Sequence, residues 1–466
     1  MQRAAIGLAG ALVVATACGS DDSASQDGTD GTIGTSADSG SEATSASTDT
    51  GRSNPTSESS GSAPDTTDAD TAEDTGTTTG GQFTCRAPLL DETFEIDPVG
   101  TDGQIHPAVF FDAELQGVWV AYNAPSADGS SKFDVFVARV GCDSNAQIEP
   151  TLVNQTTGQN DIDPDLARGD GNLLVTWASD NGAGGSDNLA VLVQSLGLDG
   201  QPTLTQDVAL ATTFDGEAFS GSAWMSRIAA VGAGEFAIIG TRAIESVSAF
   251  QVFVQRVDDQ AQSLGDTAAF APIPNFAHDT PHLAVEPSGD VVAAWVRTED
   301  FELRQVETTR VVGSAFEDAD PTLLTETHAT GPALVSGPQG TLLAVSEAQG
   351  ANARIRLSRL GPAAEPVFVG DDGGLHHAPA IVAMPGGAAL LWYRHLGGLS
   401  NELLTARVSD DGEALSVSAP VVVPDAVAPP YATTLTHVAD DIIFIAWAQG
   451  QSPNFRIYGR FVRVGE

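Results

Sequence analysis

The sequence predicts an all-β protein, a seven-bladed β-propeller of four-stranded blades whose N-terminal strand closes the last blade. Three observations carry that expectation. One stretch, Asn160 to Asp207, holds four short apolar runs separated by turn residues, in about the length of a single blade. The same unit recurs with drift along the chain. The last repeat stops one strand short, and a matching spare segment stands upstream of the first.

The prototype unit begins Asp161-Ile162-Asp163-Pro164-Asp165-Leu166-Ala167 and continues, after a Gly-Asp-Gly-Asn turn, as Leu173-Leu174-Val175-Thr176-Trp177. A loop rich in Asp, Asn and Gly leads to an alternating run from Leu189 to Leu196. An Asp199-Gly200 turn and a short run from Asp207 to Ala211 complete it. Alternation with period two is the mark of a strand with one face on a core.

Elsewhere the unit is marked by a Pro-x-(Leu/Val/Ile) strand start and an apolar strand ending in Trp. The starts are Pro107 leading to Trp119, Pro164 to Trp177, Pro281 to Trp295 and Pro379 to Trp392. Thr433 leads to Trp447 in the seventh unit. In the third, Ser226 leads to Ile239 where Trp is expected, and in the fifth, Pro332 leads to Ser346. On this reading Trp119, Trp177, Trp295, Trp392 and Trp447 share one structural position, on the second strand between neighbouring blades. The seventh unit ends at Phe461-Val462-Arg463-Val464 after its third strand. Ala87-Pro88-Leu89-Leu90 matches the fourth-strand runs Glu149–Val153 and Glu365–Val369, and is expected to pair with the final strand and cover its open edge.

Upstream of the repeats lie two segments of different character. Residues 1–17 read as a signal peptide, with Arg3 before a short apolar run, and Ala15-Thr16-Ala17-Cys18 has the small-residue pattern of a lipobox. Cys18 is the expected lipidation site; Ala15 stands where a Leu is usual, and a plain secretory signal is the alternative. Residues 18–82 are almost free of large apolar side chains. Between Gly19 and Gln82, thirteen acids face one base, Arg52, so the segment cannot offset its ordering entropy and reads as a disordered tether spanning about 45 Å. Residues 83–466 are the propeller domain. The expected location is the outer membrane, lipid-anchored, with the domain displayed at the cell surface.

Charge narrows the partners. Asp and Glu total 62 against 20 Lys and Arg, a formal net charge of −42, which opposes nucleic acid and anionic membrane surfaces. The membrane is then met through the lipid anchor only, and the chain is expected to be a monomer. Cys85 and Cys142 remain once Cys18 is lipidated, and in an oxidising compartment they are expected to pair, with two buried thiols as the alternative.

The units resemble a bacterial extracellular repeat of the form Pro-Ser-Val-Ala…Val-Val-Trp…Gln-Arg-Phe-Asp…Gly. The residues that carry the likeness are Pro164 to Trp177 with Gln194 to Gly200, Pro281 to Trp295, and Gln255-Arg256-Val257. A Ser/Thr/Gly/Asp-rich tether after a lipobox is also similar to surface lipoproteins of myxobacteria. The resemblance implies a secreted or surface protein and brings no catalytic residues with it.

Six of the eight histidines stand at or just before first strands: His106, His278, His282, His328, His376 and His377. In a propeller these loops open around the mouth of the central channel. His106, Asp163, Trp224, Asp279, His377 and Tyr431 come from six repeats and form the candidate ligand site there, a mixture suited to a polar ligand. Alternatively these residues hydrogen-bond one another and cap strand ends. Asp180, Asn181 and Asp187 offer hard oxygens in a Gly-rich loop, a weak calcium site or a solvated acidic turn; no other cofactor is indicated. There is no Gly-x-Ser-x-Gly, His-Glu-x-x-His or phosphate loop.

The reading drawn from these features is a non-catalytic binding module, not an enzyme, for a surface glycan, peptide or protein. Two alternatives stand beside it. One is a carbohydrate-active enzyme, glycosidase or lyase-like, with its site at the channel mouth and Arg227 and Asp163 as candidates. The other is a scaffold lipoprotein of envelope assembly.

Overall fold

A computed structural model describes Leu90 and residues 92–465, apart from short internal stretches (128–131, 181–188, 211–212, 215–216, 219–221, 233, 245–248, 270–275, 300–302, 314, 318–320, 326, 362–364, 371, 398–399, 427–431 and 452). These residues fall within the compact unit that contains Phe83–Glu466. They form strands and no helix. Seven antiparallel meanders follow one another, each running from an inner to an outer strand; those of the fifth and sixth blades are joined by one parallel pairing, Ala353 with Leu375.

The inner strands are Ile105–Asp112, Asp161–Arg168, Ala223–Gly232, Phe276–Val285, Ala329–Gly337, Leu375–Met384 and Thr433–Ala439. Each packs against the next, and the seventh packs against the first, so the blades close a ring. The apolar cores lie between blades. Trp119, Val137, Leu166 and Trp177 fill the seam of blades 1 and 2; Trp392, Leu404 and Leu357 fill that of blades 5 and 6. Every adjacent pair of blades shares such a cluster, including blades 7 and 1 through Phe444, Phe461 and Val120.

The ring is closed by the N-terminal segment, through a strand that begins three residues after the expected Ala87–Leu90, of which residues 87–89 lie outside the described residues. Thr93–Glu95 pairs antiparallel with Tyr458–Arg460 as the outer strand of blade 7, whereas Leu90 makes only an isolated parallel bridge to Phe461. The reason lies in the side chains. Thr-Phe-Glu alternates correctly for a strand, and the Phe94 ring sits 6.1 Å from Phe444 and 6.4 Å from Phe461. The expected strand contained Pro88, which has no backbone hydrogen to donate. A buried Asp97 then ties blade 7 to blade 1, accepting the Tyr122 hydroxyl at 2.9 Å and the Gly100 amide at 2.7 Å. Cys142 is disulfide-bonded; Cys85, its expected partner, lies outside the described residues, as do Cys18 and the signal and tether segments.

Each inner strand of blades 1 to 6 carries a bulge at the same place. Its first residue lies in the left-handed region: His106 (φ 53°), Asp163 (54°), Met225 (55°), Thr280 (45°), Gly331 (60°) and Ala378 (48°). The next residue is Pro in five of the six, a good fit because a bulged residue need not donate to the ladder. Two bulge residues oppose one on the second strand, and that residue is Tyr122, Trp177, Gly240, Trp295, Val345 or Trp392. The shared tryptophan position is thereby corrected. Trp119 stands three residues before it and packs under the Arg139 guanidinium at 4.9 Å, while Ile239 and Ser346 each miss it by one. Trp447 pairs with Thr433 at the start of its strand. In blade 3 the place is empty of a side chain because Phe253 fills it; a Cβ on Gly240 would lie 2.7 Å from that ring.

Candidate functional site

The left-handed bulge of blade 1 turns His106 toward that of blade 2, and the structure joins two of the expected mouth residues directly. His106 Nδ1 lies 2.8 Å from Asp163 Oδ1, with side-chain exposures of 26% and 29% to the channel. The same nitrogen lies 3.2 Å from Asn123 Oδ1, on the second strand of blade 1. Facing a carboxylate and an amide oxygen, Nδ1 must carry the hydrogen. Nε2 therefore holds the lone pair in the neutral ring, and it has no partner among the described residues. Burial works against the charged imidazolium, but the Asp163 charge and hydrogen bond outweigh it and raise the His106 pKa. Burial likewise opposes the Asp163 carboxylate, yet His106, helped by Arg227, holds its pKa down at about 2.

Immediately after the bulges lies a second layer, one residue per blade: Ala108, Asp165, Arg227, His282, Ala333 and Ala380. Blades 2, 3 and 4 supply charged or imidazole side chains, and blades 5, 6 and 1 supply only methyl groups. The Arg227 charge bears on His106, Asp163, Asp165 and His282, from three other blades. Asp165 accepts the Ile228 amide of the next blade at 2.9 Å, and burial raises its pKa. His282 Nδ1 accepts the Leu334 amide at 3.2 Å, and burial with the nearby Arg227 pushes its pKa down to about 4. His282 is thus a neutral ring whose hydrogen is on Nε2. The layer is one-sided: blades 2 to 4 carry its polar side chains, whereas Ala333 is buried in the seam of blades 5 and 6 and Ala380 packs on that of blades 6 and 7.

The described ones among the other expected mouth residues make no hydrogen bond or ion pair to this layer or to the His106–Asp163 pair within the described residues. Trp224 packs edge-on against Phe250 at 5.3 Å. Asp279 accepts the Thr280 hydroxyl at 3.0 Å, its pKa raised by burial. His377 lies 3.4 Å from Ser346 Oγ, its pKa lowered by burial. Tyr431 lies outside the described residues. His278 and His376, one residue earlier on their strands, are buried against tryptophans, because adjacent strand residues face opposite ways. Asp180, the described member of the calcium candidate, is engaged by Lys132 and by the Asn160 amide at 3.0 Å. Asn181 and Asp187 lie outside the described residues, and among those described no cluster of His, Cys, Asp and Glu suits a metal.

No protein-family model matches the sequence, and no curated protein matches it. The likeness is to solved structures. The polysaccharide lyase Uly1 superposes with a TM-score of 0.52 at 10% identity, over 82% of this chain and 95% of that one. An ulvan lyase of polysaccharide lyase family PL25 gives 0.51 at 12%, over 80% and 96%. A protein of unknown function from Dyadobacter fermentans gives 0.50 at 12%, over 80% and 98%. At this identity the likeness speaks for the fold, a β-propeller. It also corrects the expectation of a non-catalytic binding module that is not an enzyme: the architecture on which that expectation rested is one that two polysaccharide lyases share.

Proposed function

We propose that this protein is a carbohydrate-active enzyme that cleaves a polysaccharide at the channel mouth, with His106 as its base and Asp163 as the group that positions it. The observation that carries the reading is the His106–Asp163 contact of 2.8 Å, which leaves Nε2, on a part-exposed ring, without a partner among the described residues. A carboxylate behind Nδ1 orients an imidazole and stabilises the cation it becomes on taking a proton. The left-handed bulge alone would not argue this, since four blades without that pair adopt it too. The shared architecture of polysaccharide-cleaving propellers supports the same reading. Lipidation at Cys18 and the acidic tether would hold the enzyme out from the outer membrane, where polymers too large to enter the cell are met.

The test is a screen of purified protein against neutral and acidic polysaccharides, scoring new reducing ends. His106→Ala should lower turnover of the cleaved polymer about 100-fold or more, the usual scale of general acid–base catalysis. A polymer cleaved equally by wild type and His106→Ala, or a screen in which nothing is cleaved, refutes the proposal.

A further inference from the structure

Five of the six tryptophans are sealed in the core at 0% exposure, and Trp224 is the exception. Blade 3 carries no tryptophan opposite its bulge, where Gly240 stands and Phe253 fills the space. Its tryptophan lies instead at the mouth end of the blade, as the second residue of the inner strand Ala223–Gly232. The counterparts of Trp224, directly before the other bulges, are Ile105, Ile162, Asp279, Thr330 and His377. A tryptophan in that place does not repeat the packing role of Trp177, Trp295 and Trp392.

Phe250 buttresses the ring. Trp224 pairs with Thr241, whose hydroxyl donates to the His278 carbonyl of blade 4 at 3.5 Å, so this face of blade 3 looks toward blade 4. Phe250 pairs with Ala243, two residues on, and shares that face. It is second in its own strand, Ala249–Asp258, which also starts at the mouth end. The two rings meet edge to face, with centroids 5.3 Å apart and planes at 84°. Deeper in the same seam Ile239, Val252, Leu283 and Trp295 form the core, whereas Trp224 and Phe250 are both part-exposed.

An edge-to-face contact covers at most one face of the indole. The indole N–H makes no hydrogen bond among the described residues, and unlike those of Trp119 and Trp177 it is not buried. What remains is an apolar plane with a free donor at its rim, next to the bulge that corresponds to His106 and Asp163 in blades 1 and 2. Sugar rings match that chemistry. One face of a pyranose carries carbon-bound hydrogens that suit the electron-rich face of an aromatic ring, and its hydroxyls can accept from the N–H.

We infer that Trp224, backed by Phe250, is a stacking platform for a non-reacting sugar ring of the polymer, one blade on from the His106–Asp163 pair. The inference rests on the reading of the mouth as a polysaccharide site. A ring held there is bound alike before and during the reaction, so the platform lowers KM without raising kcat. Neither side of the contact is charged, so its contribution should persist across salt concentrations that screen ionic contacts.

The experiment follows tryptophan fluorescence of the whole chain carrying His106→Ala while cello-, xylo-, galacto- and galacturono-oligosaccharides are added. With the other five indoles sealed, acrylamide should quench mainly Trp224, and a bound oligosaccharide should protect it. Trp224→Phe should abolish the accessible signal yet keep most of the affinity by calorimetry. Trp224→Ala should weaken binding about 10- to 100-fold, the scale of one aromatic contact. In the active protein, Trp224→Ala should raise KM for the cleaved polymer by a similar factor and leave kcat nearly unchanged. A large fall in melting temperature with Trp224→Ala, with no recovery of binding in Trp224→Phe, would make the ring a prop of the seam and overturn the inference. A panel that leaves Trp224 open to acrylamide also overturns it. So does His106-dependent cleavage with the same KM in wild type and Trp224→Ala, which leaves the proposed enzyme standing. Protection of Trp224 in a screen where nothing is cleaved supports the platform and removes the enzyme.

Discussion

His376 accepts the indole hydrogen of Trp392 at 2.9 Å and donates from its other nitrogen to Asp372 at 2.8 Å, deep in blade 6. The pair explains one of the histidines at the starts of inner strands. A tryptophan placed between blades carries an N–H into the core, and a buried donor needs an acceptor. Blade 4 meets the need with Glu307, at 3.1 Å from the Trp295 indole nitrogen, and blade 7 with Gln449 at 2.9 Å from that of Trp447. His376→Ala should strand the indole of Trp392 and cost about 1–3 kcal/mol. Thermal melting should fall by a few degrees; an unchanged melting temperature would show that the bond does not stabilise the blade.

Asp161 occupies the corresponding place in blade 2, and it makes stability depend on pH. Its carboxyl is fully buried and meets no partner of full hydrogen-bond geometry among the described residues; burial raises its pKa to about 7, with Ser179 and Trp177 close enough only to temper the shift. The folded state therefore binds its proton more tightly than the unfolded chain, and stability falls as pH rises from the ordinary Asp range toward 7. His278 and His282, lowered by burial to about 4, act oppositely: their contribution is lost as pH falls from 6.5 toward 4. Asp161→Asn keeps a neutral side chain at every pH. It should raise the melting temperature more at pH 8 than at pH 5, where only part of the penalty is present. An equal change at both values would remove Asp161 as the titrating group.

The closing strand supplies a third expectation. Phe94 anchors Thr93–Glu95 through its contacts with Phe444 and Phe461, and Arg460 Nη1 donates to Thr93 Oγ1 at 3.1 Å. Phe94→Ala should cost about 3 kcal/mol, the low end for a Phe truncation because the ring is only half-buried. The loss should be local first. Amide-exchange protection should drop in the neighbouring strand Asn454–Arg463 before it drops in Asn352–Arg359 of blade 5. Uniform loss around the ring would mean that closure does not depend on this strand.

Periodicity made the architecture legible, because each blade repeats the same demand for two-faced burial. It failed where hairpin length varies. The residue facing the bulge is Trp177 after Pro164 but Tyr122 after Pro107, across a longer hairpin, so a spacing counted from Pro107 to Trp119 stops three residues short. His106 and Asp163 were legible because both directly precede the repeat's proline. Asp165 and His282 stand directly after it, and Arg227 after the Ser226 that replaces it, in the variable position of the Pro-x-apolar start, so the signal for the second layer was present in register. Reading it required knowing that this position borders the channel. Asn123 carried no such signal. Its contact with His106 crosses from the second strand to the first, and only the bulged register brings the two together.

The His106–Asp163 pair sets the pH dependence of the proposed reaction. Asp163 raises the pKa of His106 above its ordinary value of 6.5, so the base form with its free Nε2 appears only as pH climbs past that point. The acidic limb of kcat/KM, which reports the free enzyme, should therefore lie on the alkaline side of 6.5. Asp163→Asn removes the charge while keeping an acceptor for Nδ1–H. The limb should move to lower pH, and the plateau should fall because the imidazolium formed on proton transfer loses its counter-charge. Nitrogen NMR of His106 gives the same quantity without substrate: a neutral ring protonated at Nδ1, titrating above 6.5 in wild type and lower in Asp163→Asn. Asn123→Ala should leave the titration high, since the carboxylate remains, yet lower the plateau by loosening the ring. A limb that does not move in Asp163→Asn, or a neutral ring protonated at Nε2, would take the base role away from His106.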